Sequence, residues 1–446
     1  MRYTQLTDDN VRHMLDGIGA AGVEDLFSTI PPRLRLRAPL NLPRGISELE
    51  LLNETTALAS RNRNCTELVC FAGGGAYDHF IPTVVDALST GQSEFLTAYT
   101  PYQAEASQGI LQLFYEFQTM ICMLTGMDVS NASLYESASA VAEAVLMALS
   151  ITGRRRVLVV DTVHPDSRGA LAAYLRQQEA ELTTLTSRSG VADESLLADV
   201  VDDQTAAVVI QSPNFFGCVE RLDKMIPLIH EAGALAIVST DPIACAMLKP
   251  PGALDADIVV GEGQPLGIPL QYGGPYLGLL ATREKHLRKM PGRVVGLSKD
   301  LDGRRAFCLA LQTREQHIKR ERATSNICTN QGLLAIRASV YLAAMGREGL
   351  SKAASQCFDK AHYAAQRIAG LKGYELAFAA PFFKEFAVRT TRGVDHALDA
   401  CRKRGLLGGV PLSRFDKCFA DCFLVAVTEK RTRAEIDELA AALDAA

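Results

Sequence analysis

Side chains that could do chemistry follow three apolar runs of the sequence. His164 lies just beyond VLVVD, Asn214 just beyond AAVVIQ, and Asp241 directly after ALAIVST. If the runs are parallel strands, these side chains meet in the crevice at the carboxyl edge of one sheet. An acid, a histidine and a helix that starts with small residues indicate a pyridoxal-phosphate (PLP) site, in which the helix N-terminus binds the phosphate and the acid keeps the ring nitrogen protonated. Because strand-end acids also cap turns and helices, a purely structural role for His164 and Asp241 stays open.

A PLP enzyme also needs a lysine amine that forms an internal aldimine, on a loop beyond the strand that carries the acid. Residues 250–284 include the Gly-rich run GEGQPLGIPLQYGGPYLG and contain no lysine. The nearest lysines are Lys249, inside LKPPG, and Lys285. The scaffold therefore fits a PLP enzyme while the nucleophile is missing, unless Lys249 takes that part.

Five apolar runs predict the strands of a mostly parallel sheet that is covered on both faces. These runs are VLVVD (157–161), AAVVIQ (206–211), ALAIVST (234–240), DIVVG (257–261) and YLGLLA (276–281). We expect an α/β fold in three parts. They are an N-terminal arm over residues 1–65, a large domain over 66–326, and a linking helix with a smaller C-terminal α/β domain over 327–446.

Capping and periodicity place the outer elements. An amphipathic helix is expected after Thr7, and a second helix near Ser133 to Ser137. ICTNQGLLAIRASVYLAAMG predicts a long helix, FKEFAVR and CFLVAVT predict strands, and Thr432 with Glu435 forms a capping box for the last helix.

Composition excludes several classes of protein. The 46 Lys and Arg against 51 Asp and Glu give a net charge of -5, which favours neither nucleic acid nor an anionic membrane. No apolar run is long enough for a membrane span, and the first residues have no signal-peptide core, so we expect a cytoplasmic protein. Eleven cysteines without a C-x-x-C pair, and histidines without ligand spacing, predict no disulfide framework and no metal site. Nucleotide-binding glycine motifs are absent as well.

Residues 283–322 are locally basic, with twelve Lys and Arg against five Asp and Glu. A solvated surface explains such a run most simply. A docking face for an acidic partner is the alternative, and nucleic acid comes third.

Longer strings resemble a known family. YTPYQAEASQG (99–109), FQTMICMLTGMDVSNASLYE (117–136), LKPPGALDADIVVG (248–261), RKMPGRVVGLSKD (288–300) and LALQTREQHIKRERATSNICTNQ (309–331) look like the P-protein of the glycine cleavage system. The similarity is to its amino-terminal half, a separate α subunit (subunit 1) in some organisms, and it spans essentially the whole chain.

The resemblance implies a PLP-dependent transferase fold of the aspartate-aminotransferase type (fold type I). It also implies glycine dehydrogenase (aminomethyl-transferring) activity in a heteromeric enzyme, which decarboxylates glycine and passes the aminomethyl group to the lipoyl arm of H-protein. On the family pattern Gln264 takes the position of the PLP lysine and Gly263 that of a histidine. Glu136 and Ser137 stand in the phosphate-binding segment, where a carboxylate repels phosphate. PLP is then expected on the partner, subunit 2 (β), within an α2β2 heterotetramer.

The resemblance also suggests how this chain acts. Tyr99, Thr100, Tyr102 and Gln103 are the candidates for lining the partner's active site, on a loop stiffened by Pro101. Half-buried packing is the competing role for the two tyrosines. His164 and Asp241 are candidates for vestigial site residues. Two other functions stay open: a self-sufficient PLP aminotransferase or lyase that uses Lys249, and a purely structural scaffold.

Overall fold

The structure is a computed structural model of the 446-residue chain. It describes residues 6–36, 38–95, 102–187 and 189–446. The chain divides into two compact units, Met1–Arg63 and Asn64–Ala446. In the part of the chain that is described, no helix combines the length and the apolar character needed to cross a membrane.

The described residues of the first unit hold two α-helices, α1 (Asp8–Ile18) and α2 (Glu48–Ala59). The Thr7 hydroxyl accepts a hydrogen bond from Asn10 N at 3.2 Å, so the predicted helix begins where its cap requires. A capping box of Ser47 and Glu50 starts α2. No residue described in this unit is buried.

The helices of the second unit are, in chain order, α3 (Thr83–Gly91), α4 (Gln108–Thr125), α5 (Ser137–Thr152), α6 (Pro165–Leu175), α7 (Glu194–Val200), α8 (Leu222–Glu231), α9 (Gln316–Lys319), α10 (Gly332–Ala369), α11 (Val394–Lys403) and α12 (Arg433–Asp444). Its strands are β1 (Val69–Cys70), β2 (Val129–Ser130), β3 (Arg156–Val160), β4 (Glu181–Leu185), β5 (Thr205–Gln211), β6 (Leu235–Thr240), β7 (Ile258–Glu262), β8 (Gly278–Thr282), β9 (Val294–Lys299), β10 (Arg305–Ala310), β11 (Tyr374–Leu376), β12 (Glu385–Thr390), β13 (Leu406–Leu407), β14 (Val410–Pro411) and β15 (Cys422–Ala426).

A seven-stranded sheet forms the centre, in the order β2-β8-β7-β6-β5-β3-β4. Strands β3 to β7 pair in parallel, and β2 and β8 run antiparallel to their neighbours. All five predicted strands are confirmed, and the mostly parallel α/β class with them. The edge strand β4 was not predicted, because its sequence ELTTL is half polar and contains no apolar run.

Alternate residues of the parallel strands belong to two hydrophobic cores, one on each face of the sheet. Val208 and Val238 belong to the core that includes residues of α4, α8 and α10. Val209 and Ile237 belong to the core that includes residues of α5 and α6. Burial on both faces explains why these strands are continuously apolar.

A four-stranded antiparallel sheet, in the order β11-β12-β15-β14, forms the C-terminal part. The predicted long helix is α10, which packs on both α4 and α12 and changes direction at Gly346 (φ 58°, ψ -173°). The start of β12 reaches the loop beyond β5, where Phe383 N donates to Gly217 O at 3.2 Å. This contact brings the C-terminal sheet to the carboxyl edge of the central one.

Candidate functional site

A cavity of about 250 Å³ lies at the carboxyl edge of the central sheet, where the sequence placed the chemistry. His164 after β3, Asn214 after β5, Asp241 after β6 and Glu262 at the end of β7 all line it. The N-terminus of α5 and the start of β12 close it from two further sides. The predicted convergence of His164, Asn214 and Asp241 is therefore present in the structure.

Asp241 is paired with a lysine that sequence reasoning missed. Lys384 comes directly before β12, its side chain is 2% exposed, and its Nζ lies 2.5 Å from Asp241 Oδ2. The ammonium also lies 2.9 Å from His79 Nε2 and 3.8 Å from the centre of the Tyr77 ring. The carboxylate that a PLP enzyme reserves for the ring nitrogen is thus neutralised by the protein itself. The signal for it in the sequence is a Lys-Glu pair inside the mostly apolar run FKEFAVR.

The N-terminus of α5 is occupied by two carboxylates of the chain. Glu262 Oε2 accepts from Ser137 N at 3.0 Å, while its Oε1 accepts from Gln264 N at 3.0 Å and from Leu277 N at 2.9 Å. Glu136, the N-cap, accepts from Ser139 N at 2.8 Å. Burial raises the pKa of Glu262 to about 7. Two of the backbone N–H groups that would bind phosphate at such a helix start, those of Ser137 and Ser139, are therefore already used.

Gln264 is buried, and its side-chain amide holds residues 72–77 (AGGGAY) in place, a segment that we call the Gly-rich loop. Oε1 accepts from Tyr77 N at 2.9 Å, and Nε2 donates to Tyr77 O at 3.0 Å and to Ile268 O at 2.7 Å. An amide with these three bonds has a structural role, and it supplies no amine nucleophile.

His164 forms one wall of the cavity. Its Nε2 lies 2.7 Å from Gly74 O, and its Nδ1 accepts from Asp166 N at 3.1 Å, which caps α6. The neutral tautomer with the proton on Nε2 satisfies both contacts. The edge of the ring meets Phe215, with the centroids 5.0 Å apart. Each contact of the ring is thus made to the protein's own groups.

Glu385 ties the Gly-rich loop to β12. Oε1 accepts from Gly74 N at 2.7 Å and Oε2 from the Tyr77 hydroxyl at 2.8 Å. Burial raises the pKa of Glu385 to about 7, more than these two hydrogen bonds lower it. Sequence reasoning missed Glu385 and Tyr77, because neither stands at the end of a parallel strand.

The residues of this cavity do not fit PLP. The cofactor requires a lysine amine, a free helix N-terminus for its phosphate and a free acid for its ring nitrogen. At these three places the chain has Gln264, the Glu262 carboxylate and the Lys384–Asp241 ion pair. Lys249, the other lysine considered from the sequence, is exposed and lines a separate cavity.

Two of the four candidate residues for the partner's site can be located. The Tyr102 hydroxyl donates to Asn330 Oδ1, and the Arg293 guanidinium lies 4.0 Å from the centre of the Tyr102 ring. Gln103 is exposed, and its carbonyl accepts from Ser107 N at 2.9 Å. Tyr99 and Thr100 lie outside the described residues.

Among the residues that the structure describes, one set of potential metal ligands lies beside the cavity, although the sequence predicts no metal site. The ligand atoms of His79, Cys357 and Glu429 lie within 4.8 Å of one another. His79 Nδ1 is 2.7 Å from Glu429 Oε2, and Cys357 Sγ is 3.2 Å from the same oxygen. The second ring nitrogen of His79 faces the Lys384 ammonium, where a metal-binding histidine usually meets a hydrogen-bond acceptor. We interpret the three side chains as a hydrogen-bond network rather than as metal ligands.

The fold defines the class of protein. The chain is similar to a sphingosine-1-phosphate lyase of Burkholderia pseudomallei (17% identity, 93% and 94% of the two chains, TM-score 0.66) and to the cysteine desulfurase CsdA of Escherichia coli (16% identity, 86% and 95%, TM-score 0.62). At this identity the likeness shows the fold alone, which is that of PLP-dependent enzymes of fold type I. The predicted fold class is confirmed.

Comparisons over the full length define the family. The model of the glycine cleavage system P-protein matches residues 1–443. The chain is 42% identical to a glycine decarboxylase (P-protein) crystal structure in inhibitor-bound form, which covers 100% of both chains with a TM-score of 0.92. It is 49% identical to the probable glycine dehydrogenase (decarboxylating) subunit 1 of Carboxydothermus hydrogenoformans over 98% of each chain. It is 47% identical to the protein of that name in Desulforamulus reducens over 100% of each. The chain belongs to the glycine cleavage system P-protein family.

Proposed function

We propose that this chain is the subunit without PLP in a two-chain glycine dehydrogenase (decarboxylating). The observation that carries the proposal is the cavity in which Gln264, Glu262 and the Lys384–Asp241 pair occupy the three places a cofactor would need. A chain of this family that cannot hold the cofactor acts by completing a site on another chain. Its partner is then subunit 2, which carries PLP and supplies the carbanion-stabilising chemistry that glycine decarboxylation needs.

In this proposal lipoylated H-protein takes the aminomethyl group, and the subunits form an α2β2 heterotetramer. The contribution of this chain is the segment from Tyr99 to Gln103, which lines the partner's site and positions the reacting groups. Tyr102 is held by Asn330 and Arg293, so its phenol stays in one orientation. Because the single phenol proton is donated to Asn330, the hydroxyl oxygen is left as a fixed acceptor, which needs no reordering during the reaction.

The decisive experiment uses this chain and subunit 2, each purified separately. Glycine-dependent CO₂ release is measured with lipoylated H-protein for each chain alone and for the mixture. Borohydride reduction followed by mass spectrometry then locates the pyridoxyl label. We expect activity only in the mixture and label only on the partner. A label on this chain, at Lys249 or elsewhere, with activity in the absence of the partner, contradicts the proposal and supports a self-sufficient PLP enzyme.

The active-site contribution is tested in the assembled complex. Tyr102→Phe removes the hydroxyl that donates to Asn330, and we expect a fall in kcat with assembly unchanged. The matched control is Tyr115→Phe, a half-buried tyrosine that packs on Phe307. Equal turnover of the two variants contradicts the lining role and leaves a scaffold function for the chain. Light scattering of the complex tests the α2β2 stoichiometry independently.

A further inference from the structure

A third cavity, of about 80 Å³, lies in the basic segment that the proposed function does not use. Arg288, Lys289, Arg314 and Lys319 line it, together with the carboxylate of Glu315. We call it the basic cavity. Its volume is well above the roughly 10–15 Å³ that one water molecule needs. Four cations against one anion give its walls a positive charge.

Arg314, one of the residues that line this cavity, carries unused hydrogen-bond donors. Its Nη1 donates to Met290 O, which fixes the guanidinium. Nε and Nη2 are both buried, and neither has an acceptor among the residues that the structure describes. These two groups form one edge of the guanidinium, the edge that binds two oxygens of a carboxylate or phosphate side by side. Buried charged donors without an acceptor carry a desolvation cost that lowers the stability of the folded chain. A bound oxyanion would accept from them and reduce this cost.

Glu315 needs a hydrogen-bond donor, whereas Arg314 needs acceptors. Its Oε2 lies 3.7 Å from Arg293 Nη1 and 3.7 Å from His317 Nδ1, whereas its buried Oε1 has no donor within the described residues. A ligand that satisfies both side chains must present two acceptor oxygens to Arg314 and a hydroxyl to Glu315. A phosphate group that keeps one P–OH has this combination at neutral pH, and sulfate has no such hydroxyl.

We propose that the basic cavity binds a protonated phosphate group. Two phosphate oxygens accept from Arg314 Nε and Nη2, and the P–OH donates to Glu315 Oε1. The surrounding cations Arg288, Lys289 and Lys319 add long-range attraction that depends on salt. This site is separate from the cavity at the sheet edge and does not depend on the proposed function.

The test is calorimetric titration of the full-length chain with inorganic phosphate, at constant ionic strength in an amine buffer. We expect saturable binding of one phosphate per chain. Arg314→Met should weaken it by about tenfold or more, since a charge-assisted pair of hydrogen bonds is lost. Arg314→Lys should also weaken it, because the charge stays while the two-donor edge is lost. The matched control is Arg304→Met, whose side chain is 79% exposed.

The second arm compares phosphate with sulfate. Wild-type chain should bind sulfate at least about tenfold more weakly, because sulfate leaves Glu315 Oε1 unpaired. Glu315→Gln should reduce the difference in affinity between phosphate and sulfate, because the new amide can donate to a sulfate oxygen. Three results would overturn the proposal: no saturable phosphate binding, equal affinity in wild type and Arg314→Met, or an equal loss in Arg304→Met. Circular dichroism of each variant establishes that it is folded. Because neither the partner nor turnover enters the assay, its result is independent of the glycine dehydrogenase assignment.

Discussion

Lys384 Nζ lies 2.5 Å from Asp241 Oδ2, so a lysine of the C-terminal part neutralises the acid at the end of the central strand β6. At the start of α5, the Glu262 side chain accepts a hydrogen bond from Ser137 N and so takes the place of a phosphate group. An ammonium group on the acid and a carboxyl group on the helix N-terminus take the places of the two groups that a cofactor would bring. The fold of a PLP enzyme is thus kept with its binding groups satisfied internally.

Lys384→Met should be strongly destabilising. It leaves Asp241, whose side chain is 13% exposed, without its cation, and breaking a buried ion pair in this way costs about 3–5 kcal/mol. We expect a fall of about 3 kcal/mol in the free energy of unfolding, measured by urea denaturation at pH 7.

The double variant Lys384→Met/Asp241→Asn is the control for this pair. It removes the unpaired charge, so most of the lost stability should return, and the double-mutant cycle should give a coupling of about 2 kcal/mol. Additive losses in the two single variants would mean that the ion pair contributes no coupling.

Gly217→Ala should disrupt the contact between the loop after β5 and the start of β12. A Cβ at Gly217 would lie 1.8 Å from Glu385 O, and its φ of +85° is unfavourable for alanine. Gly303→Ala is a matched control, with a φ of +80° and nothing within 4 Å of the added carbon. Both variants lose about 1 kcal/mol of stability to backbone strain at a positive φ. We expect Gly217→Ala to lose about 2 kcal/mol more than Gly303→Ala, and this difference measures the clash with Glu385 O. Equal thermal midpoints would contradict the close approach.

Much of the central scaffold could be predicted from the sequence. Parallel strands buried on both faces are continuously apolar, and their carboxyl ends share one edge, so the positions of His164 and Asp241 followed from local patterns. The Gln264 position was placed by resemblance to the family, together with the absence of lysine from 250–284.

The rest of the site depends on contacts across distant parts of the chain. Lys384 directly precedes β12 and Glu385 begins it, in another sheet, and no local pattern indicates that they reach Asp241 and Gly74. Glu262 could be read as an ordinary strand end, because its bond to Ser137 N depends on how α5 packs over β7. Such pairings are tertiary, and periodicity carries no information about them.

Stability should fall as the pH rises from about 4.5 to about 7. Burial raises the pKa of Glu385 from 4.5 to about 7, so between these values the folded chain holds a proton that the unfolded chain has lost. The contribution of Glu385 to the free energy of unfolding is fully present below pH 4.5 and is lost by pH 7. The change amounts to about 3 kcal/mol for this carboxyl. Glu262 and Glu143, whose pKa values burial also raises to about 7, act in the same direction.

Glu385→Gln should flatten this pH dependence, because the amide does not titrate and can still bond the Tyr77 hydroxyl. Urea denaturation at half-unit steps of pH measures the slope. The exposed Glu231→Gln variant controls for the loss of one carboxylate. A slope in Glu385→Gln as steep as in wild type would show that this carboxyl stays ionised in the folded chain.

Gln264→Lys alone should leave the chain free of PLP. The new amine would stand beside a helix start already bound by Glu262 and an acid already paired with Lys384, so neither the phosphate nor the ring nitrogen would find its partner. We expect no pyridoxyl label on the variant after incubation with PLP and borohydride reduction, as judged by mass spectrometry of the peptide that contains residue 264. Wild type is the control for labelling of surface lysines. Stoichiometric label at position 264 would mean that the missing lysine was the only barrier, and that the Lys384–Asp241 and Glu262–Ser137 contacts yield readily to the cofactor.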